Sequence, residues 1–190
     1  ETKAAIAAGR YDQALPLLRA EVNKTPDDAD LVQWLGLAYA RLNQPDKAAE
    51  CFRKAHQLLP MDPRPVEYLA YMEVKMERWP QAHAALATVL KNSGKNYRAH
   101  TAIAVVKIKT NNLDAAEAHL KYALSVETNY PPALYNLAWL KYYGRRDGVA
   151  AAALYKRFLN VSTDPVRAPR ARAVLRRIGD TTPAPARVTT

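Results

Sequence analysis

A step of thirty-four residues runs through this chain and leaves little freedom in what it can fold into. From Leu35 the step lands on Leu69, Ile103 and Leu137, and from Gly36 it lands on Ala70, Ala104 and Ala138. From Ala48 it gives Ala14 backwards and Ala82, Ala116 and Ala150 forwards; Phe52 maps to Leu18, Leu86, Leu120 and Leu154. Read this way, no insertion or deletion interrupts the series. The frame predicts a partial first repeat over 1–28 and full repeats over 29–62, 63–96, 97–130 and 131–164. A closing helix over 165–178 and a flexible tail over 179–190 complete one structural domain.

Inside each unit the apolar residues recur at three and four, as in Val66, Leu69, Ala70 and in Leu134, Leu137, Ala138, which is the period of a helix and not of a strand. Turn residues at Gly9, Asn43, Asn111–Asn112 and Gly144 divide each unit into two helices, A and B. Pro63, Pro131 and Pro165 open A helices, where a missing N–H costs nothing, and Asp62 and Asp164 stand before two of them as N-caps. The recurring Gly or Ala lets paired helices approach closely, and the Leu or Phe four residues after the recurring Ala fills the space between units.

This pattern resembles the tetratricopeptide repeat, most fully over 29–62, where Leu35, Gly36, Tyr39, Ala48, Phe52, Ala55 and Pro60 stand in place. Other units depart from it: the helix A aromatic becomes Glu73, Lys107 and Lys141, the second helix B alanine becomes Glu21, Val89 and Arg157, and the closing proline becomes Gly94, Thr128 and Ser162. The resemblance implies an all-α fold, a right-handed superhelical solenoid of antiparallel helix pairs with A helices lining the concave face. Glu1 falls at the seventh place of its unit, so the first A helix is expected to lack its start, as in a fragment or a processed chain. At the other end Ala168, Ala171, Val174, Leu175 and Ile178 form one narrow apolar stripe among arginines, the pattern of a helix that closes a stack. Pro169 is expected to kink that helix or delay its start.

Catalytic chemistry finds no support. The four histidines are never spaced i, i+4, one cysteine cannot make a disulfide or a zinc site, and no phosphate-binding or nucleophile-elbow motif occurs. The expectation is a chain that is not an enzyme and has no cofactor or metal. The longest apolar run, Val149 to Tyr155, is far short of a membrane span.

What remains is surface. The A-helix stripe opposite the packed side carries Leu37, Tyr71, Val105 and Trp139 in one row, with Tyr135 and Tyr142 beside them in the last unit. Arg41, Arg64, Lys75, Arg98 and Lys109 stand on the same side. This apolar floor with a cationic margin suits a protein or peptide with apolar anchors and acidic residues. The alternatives are that the cations merely solvate the helices and that the closing helix covers the aromatic group Tyr135, Trp139, Tyr142 and Tyr143. The Lys, Asn and Arg set with which some relatives clamp chaperone tails is absent: Gln33, Leu37, Tyr68, Arg98 and Ala102 stand at those places in the frame from Ala29, and Glu67, Tyr71, Ala102, Pro132 and Asn136 in the frame from Pro63.

Charge supplies the competing function. Residues 1–130 hold 17 basic and 15 acidic side chains, a balance of +2, and residues 131–190 hold 11 and 3, a balance of +8. A basic C-terminal region could bind nucleic acid or an anionic surface, but its arginines surround the closing helix and no RNA-reading pair recurs. The expected function is therefore a protein-interaction scaffold, with a role in assembling a bacterial envelope or secretion complex. Cytoplasm and periplasm fit equally.

Overall fold

The computed structural model describes residues 2–181, and within them every regular element is helical. The elements are α1 (Thr2–Ala7), α2 (Tyr11–Lys24), α3 (Ala29–Arg41), α4 (Pro45–Leu58), α5 (Pro63–Lys75), α6 (Trp79–Asn92), α7 (Tyr97–Lys109), α8 (Leu113–Val126), α9 (Pro131–Trp139), α10 (Gly148–Val161) and α11 (Arg167–Thr181). The chain divides into two compact units, Glu1–Val106 and Lys107–Thr190.

In the first unit the thirty-four-residue step is visible in the backbone. Gly9, Asn43 and Glu77 each adopt a left-handed φ, between 56° and 69°. The amide one residue later reaches back five residues, from Arg10 to the Ala5 carbonyl, from Gln44 to Tyr39 and from Arg78 to Glu73, each at 2.9 Å. This closes each A helix and starts each B helix. Asp28, Asp62 and Asn96, again thirty-four apart, accept backbone N–H bonds from Leu31, Arg64 and Ala99 and so cap the following A helices. Gly36 is required by packing: a Cβ there would lie 2.8 Å from the Phe52 ring and 3.1 Å from Cys51 Cβ. Phe52 is wholly buried among Ala48, Ala49, Val66, Leu69 and Ala70, a burial that contributes about 2 to 3 kcal/mol.

Glu73 stands where the first full repeat has Tyr39. Its side chain is 1% exposed, and Arg53 of the preceding helix α4 donates to Glu73 Oε1 at 3.1 Å, while Arg78 lies 3.9 Å from Oε2. An ion pair here takes the place of an aromatic contact between successive repeats.

In the second unit Asn111 repeats the left-handed turn, but the next one falls at Arg146, thirty-five residues on. One residue has been inserted. It is absorbed where α9 runs on as a π-helical turn over Leu140–Gly144, in which the Arg145 amide bonds the Leu140 carbonyl at 3.0 Å and Asp147 reaches back six residues to Lys141. The uninterrupted frame read from sequence therefore needs correction over the last B helix. Ala151, Tyr155 and Phe158 are the buried residues of α10, in place of the expected Ala150, Leu154 and Arg157, and the last left-handed turn is at Arg146 and not at Gly144. Tyr155 and Phe158 pack with Leu134, Ala138, Ala168, Ala171 and Val174, so α11 does cover an apolar core with its narrow stripe.

Pro169 delays α11 without breaking it. The Asp164 carboxylate accepts from the amides of Val166 and Arg167 at 2.9 and 2.7 Å, and the Ala168 amide bonds the Asp164 carbonyl. Pro169 has no N–H to give Pro165, so the ladder loses its next rung and the helix is regular from Arg167. The helix continues through Gly179 to Thr181. The remainder of the expected tail, 182–190, lies outside the described residues.

Candidate functional site

Helical spacing places Arg64, Tyr71 and Lys75 on one line of α5, because offsets of seven and four return to nearly the same face. Two side-chain bridges tie that line to α3. Arg64 Nη2 reaches Asp30 Oδ1 at 3.3 Å at one end, and Lys75 Nζ donates to Asn43 Oδ1 at 2.9 Å just past the other. Leu37 and Tyr71 lie between these bridges. Leu37 is partly buried against the core, whereas Tyr71 is 65% exposed.

The cations of this unit are held in place. Arg64 is bound chiefly by Asp62, with Nη2 to Oδ2 at 2.6 Å, and that hydrogen bond holds the Asp62 carboxyl below its ordinary range. Arg41 stands over the Tyr11 ring at 5.9 Å, and Arg98 over the Tyr97 ring at 5.7 Å. Next along, Asn96 Nδ2 donates to Glu67 Oε1 at 2.7 Å and links the start of α7 to α5. Val105 of α7 is partly buried.

The remaining predicted residues, Lys109, Tyr135, Trp139 and Tyr142, belong to the second unit. Lys109 is exposed at the end of α7. Tyr135 is drawn into the core, edge-on to Tyr155 and Phe158 at 5.7 and 5.3 Å, with Arg167 of α11 over its ring at 5.6 Å. The closing helix thus does cover part of the aromatic face. Tyr142 also packs against that core, but Trp139 and Tyr143 contact each other at 5.3 Å, and Tyr143 is 48% exposed.

Two features escaped the sequence reading. Trp34 is exposed on α3 and lines a hollow of ≈460 Å3 with Ile6, Leu18 and Leu31. Its repeat counterpart Tyr68 stacks on Phe52 at 5.1 Å, and the recurrence of an aromatic at this place was the available signal. The second is an ion-pair cluster in which Glu117 of α8 takes Lys121 at 2.7 Å and Lys141 at 2.8 Å, while Arg145 binds Asp114. The hydrogen bonds from Lys121 and then Lys141 hold the Glu117 carboxyl below its ordinary range. Among the described residues no group of three or more His, Cys, Asp or Glu could hold a metal ion, and no helix is long and apolar enough to cross a membrane.

A family model described as tetratricopeptide repeat matches residues 3–63 and 69–133. The chain belongs to the tetratricopeptide-repeat family. Members of this family are generally non-catalytic scaffolds for protein interaction. Among curated proteins, the intraflagellar transport protein 70A2 of Rattus norvegicus is 29% identical over 160 residues, covering 80% of this chain and 24% of that protein. The chain thus spans about a quarter of that relative's length. Among solved structures, the thermophilic tetratricopeptide-repeat protein TTC0263 of Thermus thermophilus is similar with a TM-score of 0.72 and 24% identity, over 92% of this chain and 95% of that one. YrrB, described as a tetratricopeptide-repeat protein with an unusual peptide-binding site, has a TM-score of 0.71 and 16% identity, over 90% and 88%. These likenesses show an all-α solenoid fold of helix pairs.

Proposed function

We propose that this repeat protein docks a peptide segment or partner protein on the A-helix stripe of its first unit, with Tyr71 as principal anchor. One observation carries the reading: Tyr71 leaves most of a large ring in water on a line where its apolar neighbours are packed, between cations already fixed by Asp62, Tyr11 and Asn43. Fixing Arg41, Arg64 and Lys75 in advance lowers the ordering entropy that a partner's carboxylates would otherwise face. The peptide-binding site named for YrrB supports the reading by family likeness. A role in assembling a bacterial envelope or secretion complex is proposed on the alanine- and arginine-rich style of the repeats alone.

The partner is to be captured from the native source on the full chain, identified by mass spectrometry and remade as a pure component for titration. Tyr71→Ala is expected to weaken its binding by about tenfold or more with unchanged thermal unfolding. Equal affinity of wild type and variant overturns the proposal. A nucleic acid as the captured component, with affinity falling steeply in salt, would instead support the competing reading through the arginines of α11.

A further inference from the structure

The π-helical turn that absorbs the inserted residue carries aromatic rings in contact. In the π-helical turn Leu140–Gly144 the neighbours Tyr142 and Tyr143 meet edge to face, with centroids 4.8 Å apart and planes at 86°. Trp139, one turn back, contacts Tyr143 at 5.3 Å and 37°, as i, i+4 side chains do. Trp139, Tyr142 and Tyr143 thus form one cluster of three rings, in which Tyr143 is half in water.

A cluster of this kind can take a cation against ring faces or the flat apolar ring of a proline in an extended segment. Charge separates the two. The unit over 107–190 carries 14 basic and 6 acidic residues. In the segment that follows the rings, Arg145 binds Asp114, Arg146 has no partner among the described residues and Asp147 accepts the Ala150 amide as the cap of α10, while Glu117 is engaged with Lys121 and Lys141. A cationic ligand meets a like-charged surface; a proline flanked by carboxylates does not. We infer that Trp139, Tyr142 and Tyr143 form a subsite for a proline in an extended segment whose neighbouring residues are acidic. The inference rests on the docking function proposed above and assigns that function a second anchor point and a ligand chemistry.

The test uses the full chain and three synthetic peptides of equal length: repeats of Asp-Pro-Ala-Pro, the same with every Pro replaced by Ala, and the same with every Asp replaced by Lys. Calorimetric titration is paired with the NMR shift of the Trp139 indole N–H, assigned through Trp139→Phe. The acidic proline peptide is expected to bind and to move that signal. Each of the other peptides is expected to bind about tenfold more weakly or worse, and Tyr143→Ala, an exposed position, is expected to cost about tenfold. Absence of binding, equal binding of either control peptide, or unchanged affinity in Tyr143→Ala overturns the inference. Tyr71→Ala separates it from the parent reading: if the captured partner still depends on Tyr71 while the acidic proline peptide fails, the docking function stands and the subsite falls.

Discussion

Glu73 is the residue whose replacement reports most directly on how the repeats are joined. Its carboxylate is almost fully enclosed, with Arg53 bonded to one oxygen and Arg78 near the other. Glu73→Ala removes the buried partner, opens a void and leaves Arg53 free to turn to water; we expect a loss of about 2 to 4 kcal/mol in urea unfolding. Glu73→Met, which refills the space, is expected to recover part of that loss. Cys51 gives a second test at this scale. Burial first, and then Glu50, push its thiol up to about 11 against the opposing pull of Lys54, so it is a protonated thiol at neutral pH. A disulfide reagent at pH 8 is expected to modify it slowly in the folded chain and rapidly in urea; fast labelling of the native protein would contradict this. Glu117 sets an acid limit. Its pKa is depressed in the folded state, so its contribution is present above the ordinary carboxylate range and is lost as pH falls through the depressed value. Wild type and Glu117→Gln should differ in urea midpoint near neutrality and converge only as pH falls through that depressed value.

At the scale of elements the last B helix decides whether the inserted residue is real. In an unbroken frame Arg157 would occupy the packed place, but the structure buries Phe158 and leaves Arg157 exposed, bonding the Thr128 carbonyl at 2.9 Å. Phe158→Ala is expected to cost about 3 to 5 kcal/mol and Arg157→Ala less than about 1 kcal/mol by urea unfolding. The reverse order would restore the frame. The insertion was hidden for a physical reason. Residues 150–153 are all alanine, so a step of thirty-four or thirty-five meets a small residue either way, and Leu154 and Tyr155 are both apolar. Phe158 beside Arg157 was the remaining marker. Elsewhere the elements were plain, because Asp and Asn caps, helix-opening prolines and left-handed turn residues all agree with the apolar period.

For the molecule as a whole, neighbour-to-neighbour packing was legible because the small residue and the large one four places on recur in fixed register. The division at Val106 was not, since the repeat passes through it without a break in pattern. The candidate site was legible as a row of residues but not as a surface. Tyr71 and Tyr135 occupy similar rows, yet one is in water and the other is covered by Tyr155, Phe158 and Arg167, which depends on the register of α10. Arrays of this kind need not unfold in one step. Trp34 and Trp79 report on the first unit and Trp139 on the second, so single-tryptophan variants are expected to give non-coincident urea transitions.

The ion pairs that replace the helix A aromatic carry opposite signs in the two units: Glu73 faces Arg53, whereas Lys141 faces Glu117. Where Glu117 stands in α8, α4 has Ala49, and where Lys121 stands, it has Arg53. A copy of the 131–164 unit spliced in after α4 would set a lysine against Arg53, with Ala49 where α8 supplies Glu117. Such arrays lengthen by duplicating units, and here these two are not interchangeable, because the charge on each A helix matches only the B helix before it.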